Sequence, residues 1–162
     1  MITEFILNCI MLVYKISKIK YATDLSGEGA KLYGGRWNNK LTPCIYTSES
    51  RALALLEYTV NINIDDIPRA LSIITLDIPD NDIYELKESQ LPGDWRDVPA
   101  PSSTKDLGSN ILNAAENAVI KVPSSIITNE FNYILNPKHP HSKSLKIVDI
   151  KDFVYDIRIK LK

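Results

Sequence analysis

Four stretches of the sequence carry side chains suited to chemistry. Gly34-Gly35-Arg36-Trp37-Asn38 sets a guanidinium beside paired glycines. Such glycines let backbone approach a ligand closely, and the planar guanidinium forks onto phosphate or carboxylate. The same residues also suit a tight turn with a surface Arg and a core Trp. They lack the strand–GxGxxG–helix setting of a dinucleotide fingerprint.

Tyr46 to Glu57 is the second stretch. Glu57 has Ala, Leu and Tyr neighbours, so its carboxylate must be paired, hydrogen-bonded in a cleft, or turned to a solvent stripe. Tyr46 lies in an apolar run and suits a core position as well as a ligand-stacking one. Val122-Pro123-Ser124-Ser125 puts two hydroxyls at a strand exit. No GxSxG elbow is present and the chain has two histidines, so Ser124 reads as a positioning hydroxyl, not a nucleophile. In Asn136-Pro137-Lys138-His139-Pro140-His141 the histidines stand two apart in a proline-rich loop. That suits solvent exposure. With no third ligand near in sequence, no metal site is expected. Asn136 can fix the turn with its own side chain.

These residues need elements to hold them. Strands are expected at Leu12–Ile16, where apolar residues alternate, and at Pro43–Thr47, Arg69–Ile78, Asp82–Leu86, Ala118–Val122, Ser144–Ile150 and Tyr155–Leu161, with Pro79 and Pro123 as stops. Glu130–Leu135 is ambiguous. Ser50–Val60 reads as a helix capped at Ser48, with Ala52, Leu55, Leu56 and Thr59 on one face. Lys105–Glu116 reads as a second helix. Asp24–Asn39 holds four of the chain's six glycines and reads as a shaped loop, and Leu91–Thr104 as a proline-rich connection. Strands outnumber helices and often follow one another directly. The fold class expected is α+β with a mixed or mainly antiparallel sheet, not doubly wound α/β.

The bulk numbers bound the function. At 162 residues, with 44% hydrophobic and 24% charged, the chain suits one folded domain. Its formal net charge of −1 supplies no field for nucleic acid or anionic membrane. Two cysteines in a chain of this length read as reduced thiols of a cytoplasmic protein. Phe5–Val13 is apolar but too short to span a bilayer, and no signal-peptide pattern surrounds it. Residues 1–10 read as an N-terminal extension, and residues 11–162 as a single domain.

Four phrases in order give these pieces a common meaning: LSGEGAKLYGGRWN (Leu25 to Asn38), IYTSESRALALLE (Ile45 to Glu57), LPGDWR (Leu91 to Arg96) and VPSSIITNEFNYILNPKHP (Val122 to Pro140). Together they resemble the RES domain family, named for an Arg, a Glu and a Ser. The resemblance maps those three onto Arg36, Glu57 and Ser124, with Tyr46 and Asn136 on further motif positions. It implies a fold similar to ADP-ribosyltransferases, with mixed or antiparallel sheets and a few helices around an NAD⁺ cleft. It also implies a toxin paired with an Xre-type helix-turn-helix antitoxin, as a monomer or a homodimer.

The implied chemistry is cleavage of the nicotinamide–ribose bond of NAD⁺ by water or phosphate, with NAD⁺ as substrate and no metal. Glu57 would then stabilise the ribosyl cation and Arg36 would clamp the pyrophosphate. Gly35 would allow close backbone approach, Tyr46 would contact the nicotinamide or its ribose, Ser124 would orient Glu57 or the ribose, and Asn136 would support the loop. Two alternatives share the sequence: ADP-ribosyl transfer to a cellular protein, and a non-catalytic module that acts only by binding the antitoxin.

Overall fold

Alternating apolar residues form two long strands, β1 (Met11–Lys18) and β3 (Leu71–Ile78), which pair antiparallel from Met11 opposite Ile78 to Lys18 opposite Leu71. The computed structural model describes residues 10–160, so all but the last residue of the 1–10 extension lies outside the described residues. β7 (Lys146–Phe153) adds antiparallel to β3, with a register shift between Thr75 and Leu76. β2 (Ile45–Ser48), β6 (Phe131–Leu135) and β5 (Val119–Pro123) follow on the other side of β1, also antiparallel. β4 (Ile83–Glu85) runs parallel to β5 at the far edge. The resulting sheet has seven strands in the order β4-β5-β6-β2-β1-β3-β7.

β1 and β2 are in register at a single pair, Tyr14 opposite Ser48, so the sheet is two halves joined at a narrow waist. One face of both halves feeds the same buried cluster: Val13, Ile74 and Leu76 from one, Ile45, Val119 and Leu135 from the other. The two halves therefore share one core. The other face carries the helices.

Three helices complete the fold: α1 (Glu28–Tyr33), α2 (Arg51–Val60) and α3 (Ser102–Ala114). α3 makes the long crossover that a parallel β4–β5 pair requires. The α+β class with a mixed sheet and few helices agrees with the sequence reading. No helix among the described residues is long and apolar enough to cross a membrane.

Several local expectations are corrected. α2 is capped by Ser50, whose side chain accepts the Leu53 N–H at 3.1 Å, and not by Ser48. Its buried residues are Leu53, Ala54 and Thr59, while Ala52 is exposed. The glycine-rich stretch holds α1 between Gly27 and Gly34. Tyr155–Leu161 forms no strand over its described part. Ile157–Ile159 is a 3₁₀ turn, started by Asp156, whose carboxylate accepts the Arg158 N–H.

Leu76 is fully buried in the cluster that joins the two halves. Leu76→Ala is expected to cost ~2–5 kcal/mol. Urea unfolding should record a lower midpoint at unchanged slope; an unchanged midpoint would mean the halves do not depend on this core.

Candidate active site

Glu57 projects from α2, an otherwise apolar helix, toward the ends of two strands. Its Oε1 accepts two hydrogen bonds, from Asn132 Nδ2 at 2.6 Å and from Ser124 Oγ at 3.2 Å. Both donors are fixed by other partners. Asn132 Oδ1 accepts the Ser48 hydroxyl at 2.7 Å, across the β2–β6 register pair that joins the two residues. Ser124 Oγ accepts the N–H groups of Ile126 and Ile127 at 3.1 and 3.2 Å. With its lone pairs so occupied, the hydroxyl has one direction left for its proton, toward Glu57. Ser124 is 2% exposed, which suits an orienting group and not a nucleophile. No described residue donates to Glu57 Oε2.

The Gly34–Asn38 loop is the second arm. Arg36 donates from one nitrogen, Nη1, to the carbonyls of Trp95 (2.5 Å) and Asp97 (3.1 Å). Its Nη2 and Nε are taken by no described residue. Burial lowers the guanidinium's pKa, while the charges of Glu57 and Asp97 pull the other way; the group stays charged. Arg36 and Glu57 thus feel each other's charge without a direct ion pair.

Tyr46 ties this loop to the sheet. Its hydroxyl accepts the Trp37 N–H at 2.9 Å and donates to Asn38 Oδ1 at 2.7 Å. Burial raises its pKa well above the ordinary tyrosine value, so the phenol stays a neutral donor. Asn38, fully buried, donates in turn to the carbonyls of Ala30 and Thr42. Close approach depends on two glycines. A Cβ on Gly35 would stand 2.5 Å from the Tyr46 hydroxyl, and one on Gly108 of α3 would stand 2.1 Å from the Trp37 carbonyl. Trp37 packs on Trp95 with ring centroids 6.3 Å apart, joining the Arg36 loop to the Leu91–Arg96 stretch.

β2 brings the two arms together. Tyr46 and Ser48 are two residues apart, hence on one face and about 7 Å apart along the strand. The first holds the Arg36 loop and the second holds Asn132 against Glu57. Arg36, Tyr46, Gly35, Glu57 and Ser124 therefore belong to one locality.

Asn136 does not join it. It lies past the opposite end of β6, 1% exposed, with Nδ2 on the Leu112 carbonyl at 2.8 Å and Oδ1 on the Lys138 N–H at 3.1 Å. It closes the end of α3 and fixes its own turn. Sequence reasoning missed Asn132; the available signal was an Asn inside the apolar strand FNYIL, which must find a buried partner. It also expected both histidines in solvent, yet His139 is only 9% exposed. The lone described thiol, Cys44, is buried and its pKa is pushed up to about 12 by desolvation, which leaves it unreactive. A hollow of about 340 Å³ lined by Tyr84, Asn110 and Ile111 includes none of the Glu57 constellation.

A mixed seven-stranded sheet flanked by three α-helices carries these groups, and comparison with known proteins places the chain further. The RES domain family model matches residues 12–156, so the chain belongs to the RES domain family. It is 39% identical to "Toxin Res" of Photorhabdus laumondii over 92% of this chain and 97% of that protein. It is 35% identical to the "Prs ADP-ribosylating toxin" of a Sphingobium species, over 85% of this chain and 88% of that one. The fold matches a chain of the crystal structure of the M. tuberculosis MbcT–MbcA toxin–antitoxin complex, with a TM-score of 0.69 at 20% identity. That match covers 90% of this chain and 85% of the other.

Tyr46→Phe removes one hydroxyl that serves two partners and leaves the Trp37 N–H and Asn38 Oδ1 without it. The expected loss is about 1–3 kcal/mol, as for buried polar groups left unpaired. Chemical denaturation of the variant tests this, and parent-like stability would show that the loop does not rely on Tyr46.

Proposed function

We propose that this RES domain is the toxin of a toxin–antitoxin pair and that it attacks the nicotinamide–ribose bond of NAD⁺. The observation that carries the reading is the half-bound carboxylate of Glu57. One oxygen is held by Ser124 and Asn132, the other is left for a ligand, and a guanidinium stands near but apart.

Breaking the bond sends its electron pair to the nicotinamide nitrogen, which is already cationic and a good leaving group. The ribose is left with oxocarbenium character. Glu57 Oε2 lies where it can hold a ribose hydroxyl and stabilise that developing charge. The fixed Oε1 prevents the carboxylate from turning away. Arg36, anchored through Nη1, offers Nη2 and Nε to the pyrophosphate as a paired donor. Tyr46 and Gly35 set the height of that guanidinium. An oxygen of water or of inorganic phosphate then attacks C1″ of the nicotinamide ribose, and the proton lost from water passes to solvent. The NAD⁺ is consumed as substrate.

A second reading has its own support. A relative named as an ADP-ribosylating toxin spans 88% of its own length against this chain, so transfer of ADP-ribose to a protein shares the first half of the same reaction. Purified protein incubated with NAD⁺, with and without phosphate and with a cell extract, distinguishes the acceptors by product mass. Free ADP-ribose or its 1″-phosphate supports NAD⁺ loss; ADP-ribose on a protein supports transfer. The partner on the toxin–antitoxin reading is a small antitoxin, expected to be of the Xre helix-turn-helix type. A co-expressed neighbour of that kind should restore growth.

Three variants test the roles. Glu57→Gln keeps an acceptor for Ser124 and Asn132 but loses the charge, so NAD⁺ consumption should fall by at least ~10³-fold with the fold intact. Undiminished turnover would remove Glu57 from the mechanism. Arg36→Ala should raise KM for NAD⁺ ~10-fold or more; an unchanged KM would sink the pyrophosphate role. Asn132→Asp sets a second carboxylate against the first. Glu57 Oε1 then loses the amide donor, and NAD⁺ consumption should fall ~10-fold or more while Asn132→Gln keeps part of it. Parent-like turnover in Asn132→Asp would reduce Asn132 to a packing residue.

A further inference from the structure

Three metal-ligating side chains converge at the opposite end of strands β4 to β6 from Glu57. Asp82 immediately precedes β4, and His139 and His141 follow β6. Their donor atoms lie within 4.8 Å of one another. Both imidazoles turn Nδ1 toward one carboxylate oxygen: Asp82 Oδ2 is 2.6 Å from His141 Nδ1 and 3.5 Å from His139 Nδ1. The Asp82 and His139 side chains are 11% and 10% exposed, while His141 is 65% exposed. The cluster is thus a buried pair with a third donor reachable from solvent.

Its hydrogen bonds fix the proton positions. His139 Nδ1 accepts the backbone N–H of His141 at 3.1 Å, so it carries a lone pair and no proton. Asp82 Oδ1 accepts Asn117 Nδ2 at 3.1 Å. Asp82 Oδ2 and His139 Nδ1 stand 3.5 Å apart in a nearly closed setting.

The geometry points to a site for a divalent first-row transition ion, Zn²⁺ foremost, bound by Asp82, His139 and His141 with water completing its shell. Two neutral imidazoles and a carboxylate are a zinc donor set. With ligand bonds of about 2.0–2.2 Å, the donors of a tetrahedral ion stand roughly 3.3–3.5 Å apart. The His139–Asp82 gap already has that spacing. His141, exposed on its turn, has only to swing outward by about 1 Å and exchange its Nδ1 proton for the metal. The His141 amide released by His139 Nδ1 lies on the same exposed turn, where water can meet it. Asn117 holds the carboxylate in place, as partners of metal ligands commonly do. The bound ion would clamp the entry of β4 to the exit of β6, a structural role separate from NAD⁺ chemistry.

The test uses tag-free full-length protein stripped with a chelator. Calorimetric titration with zinc chloride should give one saturable site per chain, and thermal unfolding should move to higher temperature with zinc. Cobalt should bind with the visible absorption of a four-coordinate ion. His141→Ala, a surface change that leaves the fold intact, should weaken zinc binding by about 10-fold or more and erase the thermal shift. Asp82→Asn should do the same. No saturable zinc uptake by the parent chain, or equal affinity in His141→Ala, overturns the proposal.

Discussion

The site depends on one constraint: a carboxylate on an apolar helix, partly withdrawn from water, must be satisfied without being neutralised. Neutral hydrogen-bond donors solve this where a cation would not. Asn132 and Ser124 each give Glu57 Oε1 one bond, and bonds to a charged acceptor contribute on the order of 1.5–3 kcal/mol apiece. That is enough to offset partial burial while leaving the full negative charge for a ligand. Arg36 stays off the carboxylate because its Nη1 is held by two backbone carbonyls. A direct Arg–Glu pair would hold both groups more firmly and leave neither available.

This arrangement explains why the charged groups stand on different elements and the neutral ones on the sheet. Helix α2 and the Arg36 loop present the charges, and β2, β5 and β6 present the donors. β2 is only four residues long, yet it carries the junctions to both arms at alternate positions. Tyr46 faces the loop and Ser48 faces Asn132, while Ile45 and Thr47 turn to the opposite side, Ile45 into the shared core. A one-residue slip of β2 against β6 would send both junctions into the apolar cluster. The core that fixes the register of β2 therefore also fixes the distance between the guanidinium and the carboxylate.

Much of the architecture was legible in the sequence because half-buried strands alternate and fully buried ones run apolar. β1 comes nearest to the alternating pattern, whereas β3 and β5 are buried on both faces and show as short apolar runs. The residues that overrode the pattern are specific. Residues 155–161 alternate like a strand, but a carboxylate two residues before Arg158 turns the chain into a 3₁₀ turn. Gly27, Gly29 and Gly34 make Asp24–Asn39 look like loop, and the six-residue helix between Gly27 and Gly34 is bracketed by two of them. Arg36, Glu57 and Ser124 were legible through family wording, not through periodicity. Asn132 was hidden because a polar residue inside FNYIL announces its need for a partner without naming it. The third member of the Asp82 cluster was hidden because it lies more than fifty residues from the histidines, and only strand pairing brings it close.

The last family phrase, Val122 to Pro140, shows how one hairpin serves two ends. Asn132 and Asn136 are four residues apart, on the same side of the sheet and about 13 Å apart if the strand geometry continues. They differ in what lies above them. Over Asn132 comes a carboxylate of α2 with an oxygen to spare. Over Asn136 comes the Leu112 carbonyl, one of the last-turn acceptors of α3 that a helix leaves unsatisfied. The same side chain thus becomes a prop for a carboxylate at one end and a helix cap at the other. Motif membership alone assigns neither role. The partner overhead does, and that partner is set by which helix the crossover delivers to each end of the sheet.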